Sequence, residues 1–199
     1  MKCIVYIHGK NGSAEEAEHY RPLFSGDVIG LEYTGNDPWT AGKEIYKAVT
    51  ELKSRYDGII LIASSIGAYY AMNADIAKMI DHAYFISPVT DMEQLIMNMM
   101  EWADVDESAL QEKGVIHTDF GEDLSWEYLA YVREHPLIWD VPTDILYGEK
   151  DHLVTLETVT AFARRHHCSL TVMENGEHWF HTEEQMEFLD RWITGMKHS

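Results

Sequence analysis

The sequence predicts an α/β protein, a single domain over residues 1–199 with helices on both faces of a mostly parallel sheet of about six strands. Short apolar, β-branched runs alternate with longer amphipathic stretches from end to end. Several of these runs are continuously apolar rather than alternating, the pattern of parallel strands covered on both faces. A length of 199 residues fits one domain by the usual range of about 100–200. The hydrophobic share of 46% and charged share of 25% are globular values and exclude a disordered or fibrous chain.

The strand candidates, in order, are Cys3–Ile7, Val28–Glu32, Ile59–Ala63, Ala83–Ile86, Asp144–Tyr147 and Leu170–Met173. Between the first two, Ser13-Ala14-Glu15-Glu16 has the spacing of a capping box, in which the serine accepts from the backbone while the glutamate reaches back, and opens a helix. A second helix is expected over Thr40–Tyr56, with Ile45, Val49 and Leu52 on one face. A third, Ile66–Ile80, follows its strand with almost no linker. Leu156–His167 follows the fifth strand, and Thr182-Glu183-Glu184-Gln185 opens a last helix running to about Trp192. Repetition of strand and helix implies right-handed crossovers between parallel strands. From Pro88 to Pro142 the rhythm stops. No strand is expected there, only helical patches at Met92–Trp102, Ser108–Lys113 and Trp126–His135, so residues 88–142 read as a small helical, cap-like insertion over the sheet's edge.

Charge and composition narrow the partners. Thirty-four acidic against 15 basic residues give a formal net charge of −19. Nucleic acid is bound by neutralising phosphates with Lys and Arg, so this surface repels it, and anionic membranes likewise. No stretch approaches the roughly 18–20 apolar residues of a membrane helix, and the first apolar run is too short for a signal peptide. The expectation is a cytoplasmic protein without membrane insertion. Two cysteines, Cys3 and Cys168, are too few for a disulfide framework or structural zinc site. Both sit in strand-like runs and read as buried thiols rather than a bridge.

The chemistry-bearing signals fall after strands. In Ala63-Ser64-Ser65-Ile66-Gly67 a strand passes directly into a helix, through a turn so sharp that its apex is strained and small neighbours are needed two positions before and after. This is the G-x-S-x-G logic with alanine at the first small position. It exposes the Ser65 hydroxyl at the sheet's carboxyl edge, where the helix N-terminus aims backbone N–H groups at developing negative charge. Tyr6-Ile7-His8-Gly9-Lys10-Asn11-Gly12-Ser13 closes the first strand with a glycine-rich loop that matches neither phosphate-loop nor dinucleotide spacing. Asp144-Ile145-Leu146-Tyr147-Gly148-Glu149-Lys150-Asp151 and Val172-Met173-Glu174-Asn175-Gly176-Glu177-His178 each end a strand in a tight turn and deliver Asp151 and His178 to the same edge. A serine hydroxyl needs a neighbouring base, and that base needs a carboxylate to hold its tautomer. Ser, Asp and His at the carboxyl ends of three parallel strands meet that need together.

With these motifs the chain resembles the α/β-hydrolases over essentially its full length, in the chain order Ser, Asp, His, and is similar to small bacterial serine esterases with a short cap. The resemblance implies Ser65 as nucleophile, His178 as general base and then acid, and Asp151 as its orienting partner. The backbone N–H groups of Ile66 and Lys10, or Asn11 in place of Lys10, would form the oxyanion hole. The implied activity is hydrolysis of a small carboxylic ester through an acyl-enzyme, with no cofactor and no metal. The one departure is Ala63 in place of the family's first glycine.

Other assignments remain open at this point. The same triad serves a thioesterase, amidase or lactonase, and a non-catalytic ligand-binding protein could retain the pocket. The apolar stretch Leu95–Trp102 offers a docking surface for a partner or for a homodimer. Ser64 is expected to point into the sheet. His181 is a second candidate for the base, though its expected place is at the entrance or just before the last helix's cap, and Asp144, inside a strand, reads as a structural hydrogen-bonding group. His178-x-x-His181 and the pair His166-His167 lack a zinc-binding pattern.

Overall fold

Lys2–Ile7 (β1), Asp27–Leu31 (β2), Gly58–Ser64 (β3), His82–Ile86 (β4), Thr143–Gly148 (β7) and Ser169–Met173 (β8) form one sheet in the order β2-β1-β3-β4-β7-β8. Every pairing in it is parallel. These are the six expected segments, each displaced or extended by a residue or so. The computed structural model describes residues 2–196. Central strands are apolar throughout because helices cover both faces. Val5, Ile59, Leu61, Ile62, Phe85 and Ile145 are fully buried.

The described residues divide into two compact units, one up to Thr90 and again from Trp139, the other Asp91–Ile138. In the first, a 3₁₀ helix over Ala14–Leu23 carries the Ser13/Glu16 capping box. An ordinary helix was expected there, but Pro22 removes a donor within it. Pro38–Lys53 (α1) starts two residues before the expected Thr40, because Asp37 caps it by accepting from Thr40 N–H at 2.6 Å and Pro38 fits the first turn. Ile66–Asn73 (α2) is half the expected length. Asp75, at φ 53°, turns the chain out before a short 3₁₀ turn over Ala77–Met79. Leu156–Arg165 (α6) and Glu183–Met196 (α7) complete this unit.

The second unit holds Met92–Trp102 (α3), Glu107–Lys113 (α4) and Trp126–Glu134 (α5), close to the expected helical patches. Arg133 ties them together, pairing with Glu93 at 2.6 Å and Glu107 at 2.7 Å. The expectation of no strand here is corrected by an antiparallel hairpin of Val115–His117 (β5) and Asp123–Ser125 (β6). Three residues per strand are too few for alternation to stand out. What makes the hairpin is its turn, where Thr118 Oγ1 donates to the Glu122 carbonyl at 2.6 Å and Gly121 takes φ 84°.

Cys3 is fully buried in β1 and Cys168 half-buried, and neither is bridged. Cys168 lies one residue before β8, not within a strand. Asp144 does act structurally, accepting from His82 Nε2–H at 2.8 Å and from the Ser169 hydroxyl. No helix among the described residues is long and apolar enough to cross a membrane.

Candidate active site

Because all six strands run parallel, their carboxyl ends share one edge, where α/β proteins bind ligands. β3 ends at Ser64, and α2 begins at Ile66, so the whole reversal falls on Ser65. Its backbone sits at φ 51°, ψ −124°, a left-handed conformation costly for a residue with a side chain. Its N–H donates to the Ile86 carbonyl at 2.9 Å, and its carbonyl accepts from Val89 N–H at 3.1 Å, which hold the turn from both sides. A Cβ on Gly67 would lie 2.2 Å from the His8 carbonyl oxygen, so only glycine lets α2 start this close to β1. Ala63 is fully buried between the registers of Ile7 and Phe85, where its methyl group is accommodated.

The turns after β7 and β8 are hydrogen-bonded to each other. Glu149 N–H donates to the Met173 carbonyl at 3.0 Å, and Lys150 N–H to that of Gly176 at 2.7 Å. A Cβ on Gly148 would lie 2.4 Å from the Glu177 carbonyl, so the two turns touch at backbone distance. Asp151 is held there by its own Oδ1, which accepts from Leu153 and Val154 N–H at 2.8 and 3.0 Å. Tyr147, fully buried, donates its hydroxyl to the Val154 carbonyl at 2.7 Å. Burial, with the Asp151 charge adding, pushes that phenol up to about 12.

These elements bring Ser65, His178 and Asp151 together. His178 Nδ1 lies 2.6 Å from Asp151 Oδ2, and its Nε2 lies 2.8 Å from Ser65 Oγ. A carboxylate only accepts, so Nδ1 carries the proton and donates to Asp151, which leaves Nε2 to accept from the serine hydroxyl. The Asp151 side chain is wholly buried, and that of His178 is 18% exposed.

A cleft of about 660 Å³ opens beside this array, within the usual size range of small-molecule sites. Tyr20, Ile86, Leu153, Trp179, Phe180 and Met186 make most of its wall apolar. Lys10 and Asn11 lie on it in a tight turn closed by Gly12 N–H donating to the Gly9 carbonyl at 3.2 Å, with Asn11 at φ 59°. Ile66 opens α2 immediately after Ser65, so its N–H belongs to the first helical turn.

The expectation for Ser64 is corrected here. Ser64 does not point into the sheet. It lines the cleft, with its Oγ 3.5 Å from the Tyr6 hydroxyl. His181 is not beside the serine. It faces the Trp179 carbonyl at 2.7 Å, stacks on the Trp179 ring and lies 3.5 Å from Glu177. His166 bonds the Trp139 carbonyl at 2.8 Å. Tyr6, Glu16 and His19 line the cleft, and sequence reasoning did not place them there. Glu16 was legible only as a helix cap. Its second place, accepting from the Tyr6 hydroxyl, depends on β1 passing beneath the 3₁₀ helix.

The fold is shared with many solved structures. Est1E from Butyrivibrio proteoclasticus superposes with a TM-score of 0.77 at 18% identity, covering 98% of this chain and 86% of its own. A putative hydrolase from Agrobacterium vitis gives 0.78 at 16%, covering 98% and 87%. Mouse alpha/beta hydrolase domain-containing protein 10 gives 0.71 at 19%, covering 98% and 89%. Among curated proteins none matches by sequence. Residues 3–191 match the model of the uncharacterised protein family UPF0227, so this chain, with an α/β-hydrolase fold, belongs to that family.

Proposed function

We propose that the protein is a serine hydrolase that cleaves small carboxylic esters, with Ser65 as nucleophile, His178 as base and then acid, and Asp151 as orienting carboxylate. The observation that carries this reading is the unbroken chain from Ser65 Oγ to His178 Nε2 at 2.8 Å and from His178 Nδ1 to Asp151 Oδ2 at 2.6 Å. Strain at Ser65 favours a role for its hydroxyl beyond packing. The names of the similar structures, esterases and hydrolases among them, point the same way.

In this reading Ser65 Oγ attacks the ester carbonyl as its proton passes to His178 Nε2. The tetrahedral oxyanion forms against the N–H groups of Ile66 and Lys10, and buried Asp151 stabilises the imidazolium. His178 then protonates the departing alcohol. Water, deprotonated by His178, attacks the acyl-enzyme; the acid is released and Ser65 regains its proton. The largely apolar cleft suits a short or medium acyl chain. No step requires a cofactor.

Fluorophosphonate labelling with mass-spectrometric mapping tests the assignment directly. An adduct at Ser65, absent in Ser65→Ala and followed by turnover on an ester panel, is the expected result. A folded protein whose Ser65 takes no label and which turns over no ester would instead fit a ligand-binding role.

A further inference from the structure

We propose that Tyr6 and Glu16 are positioning residues for the oxyanion-binding turn, joining it to the nucleophile's strand. The proposal rests on the serine-hydrolase reading above.

The Tyr6 hydroxyl donates to Glu16 Oε2, and Ser64 Oγ lies 3.5 Å from that hydroxyl. The other carboxylate oxygen, Oε1, faces Ser13 N–H at 3.4 Å, immediately after the turn Gly9–Gly12. A Cβ on Gly12 would come within 2.7 Å of the same oxygen, so the carboxylate packs directly against the turn's last residue. One side chain thus touches the turn that offers Lys10 N–H and, through Tyr6, the residue preceding Ser65. Tyr6 is 2% exposed, and burial raises its phenol well above the usual range. It stays a proton donor at any pH at which the enzyme works, and the carboxylate is a partner that can only accept.

Such a brace matters because an oxyanion-binding amide must already stand where charge develops. Removing one such donor outright costs about 10²–10³-fold in kcat, and a misplacement of about 1 Å can cost about 10²-fold. A capping role alone would make Glu16 matter for stability and not for rate.

The test uses Tyr6→Phe, Glu16→Ala and Glu16→Gln in the full chain, with kcat and KM on one ester, the rate of Ser65 phosphonylation and thermal melting. Phosphonylation also develops charge on oxygen, so it reads the same brace without a choice of ester. For Tyr6→Phe and Glu16→Ala, kcat and the labelling rate should fall about 10- to 100-fold. KM should stay within about twofold and the pH profile of kcat keep its midpoint, because His178 and Asp151 are untouched. Glu16→Gln can keep both contacts, its amide oxygen accepting from Ser13 N–H and its NH₂ donating to the Tyr6 oxygen, and should recover activity to within about threefold. Wild-type rates in Tyr6→Phe and Glu16→Ala would overturn the proposal, as would losses that follow the drop in melting temperature and are not recovered by Glu16→Gln. Ser65→Ala separates the two levels of the argument. If it retains esterase activity and labelling, the hydrolase reading itself fails. If it abolishes both while Tyr6→Phe changes neither, only the positioning role fails.

Discussion

His178 donates its Nδ1–H to Oδ2 of Asp151 across 2.6 Å, while the other Asp151 oxygen, Oδ1, holds the backbone N–H groups of Leu153 and Val154. The two oxygens have separate tasks, one anchoring the carboxylate and the other orienting the imidazole. No water competes for the orienting bond, because the carboxylate is fully buried.

Asp151→Asn should therefore fold normally and turn over slowly. The carboxamide oxygen can still take the Leu153 and Val154 donors, but the amide NH₂ then faces His178. It forces Nδ1 to accept, puts the proton on Nε2 and blocks acceptance from Ser65. A fall in kcat of about 10⁴-fold with an unchanged melting curve is expected. An unimpaired variant would move the orienting role to another carboxylate.

Ser65→Ala and His178→Ala should each lower kcat by about 10⁴–10⁶-fold, and the double variant should be no worse than either single one. Steady-state kinetics on all three checks this. Additive losses would mean that the two side chains do not act as one unit.

Gly67→Ala would drive a methyl group into the His8 carbonyl, to 2.2 Å. A loss of about 1–3 kcal/mol is expected from such overpacking, together with slower labelling of Ser65 as the elbow opens. Urea denaturation beside fluorophosphonate kinetics reads both effects. Wild-type values in both would show that α2 can shift away from β1.

At the opposite edge of the sheet, the hydrogen bond from His82, aided by that from Ser169, holds the Asp144 carboxyl below the usual range, against the opposing effect of burial. A depressed folded value contributes stability above the unfolded carboxyl's value of about 4, and that stability is lost as pH falls through the folded value. Wild type should exceed Asp144→Asn in denaturation midpoint at pH 6, and the gap should close in acid. A gap of constant size down to pH 3 would contradict this account.

Burial pushes the Cys168 thiol up to about 11. Iodoacetamide should label it far more slowly than a free thiol at pH 8, with the rate climbing through the pH range 9–11. Over the same range folding stability should decline, because the unfolded thiol ionises first. Alkylation at pH 8 as fast as that of a model thiol would show the site to be open to water.

The six strands of the sheet were legible because burial on both faces leaves a continuous apolar signature in each. Ser65 was legible for a related reason. A reversal within one residue tolerates only small neighbours, and Ala63 and Gly67 supply them at fixed spacing. The hairpin of Val115–His117 with Asp123–Ser125 was not legible, since its strands are too short for a period and its turn chemistry carries the signal. The break of α2 at Asn73 was missed because Asp75 enters the left-handed region with no glycine to announce it.

The sequence by itself determined the fold class, the strand order along the chain and which three turns carry Ser65, Asp151 and His178. Each of these depends on local rules of periodicity, small-residue spacing and turn chemistry. Only the tertiary structure decided that Ser65 and His178, 113 residues apart, stand within a hydrogen bond, that Ser64 turns to the cleft, and that Glu16 serves Tyr6 as well as its helix cap. Those contacts are set by sheet register and by backbones that touch at Gly67 and Gly148, distances that no local pattern encodes.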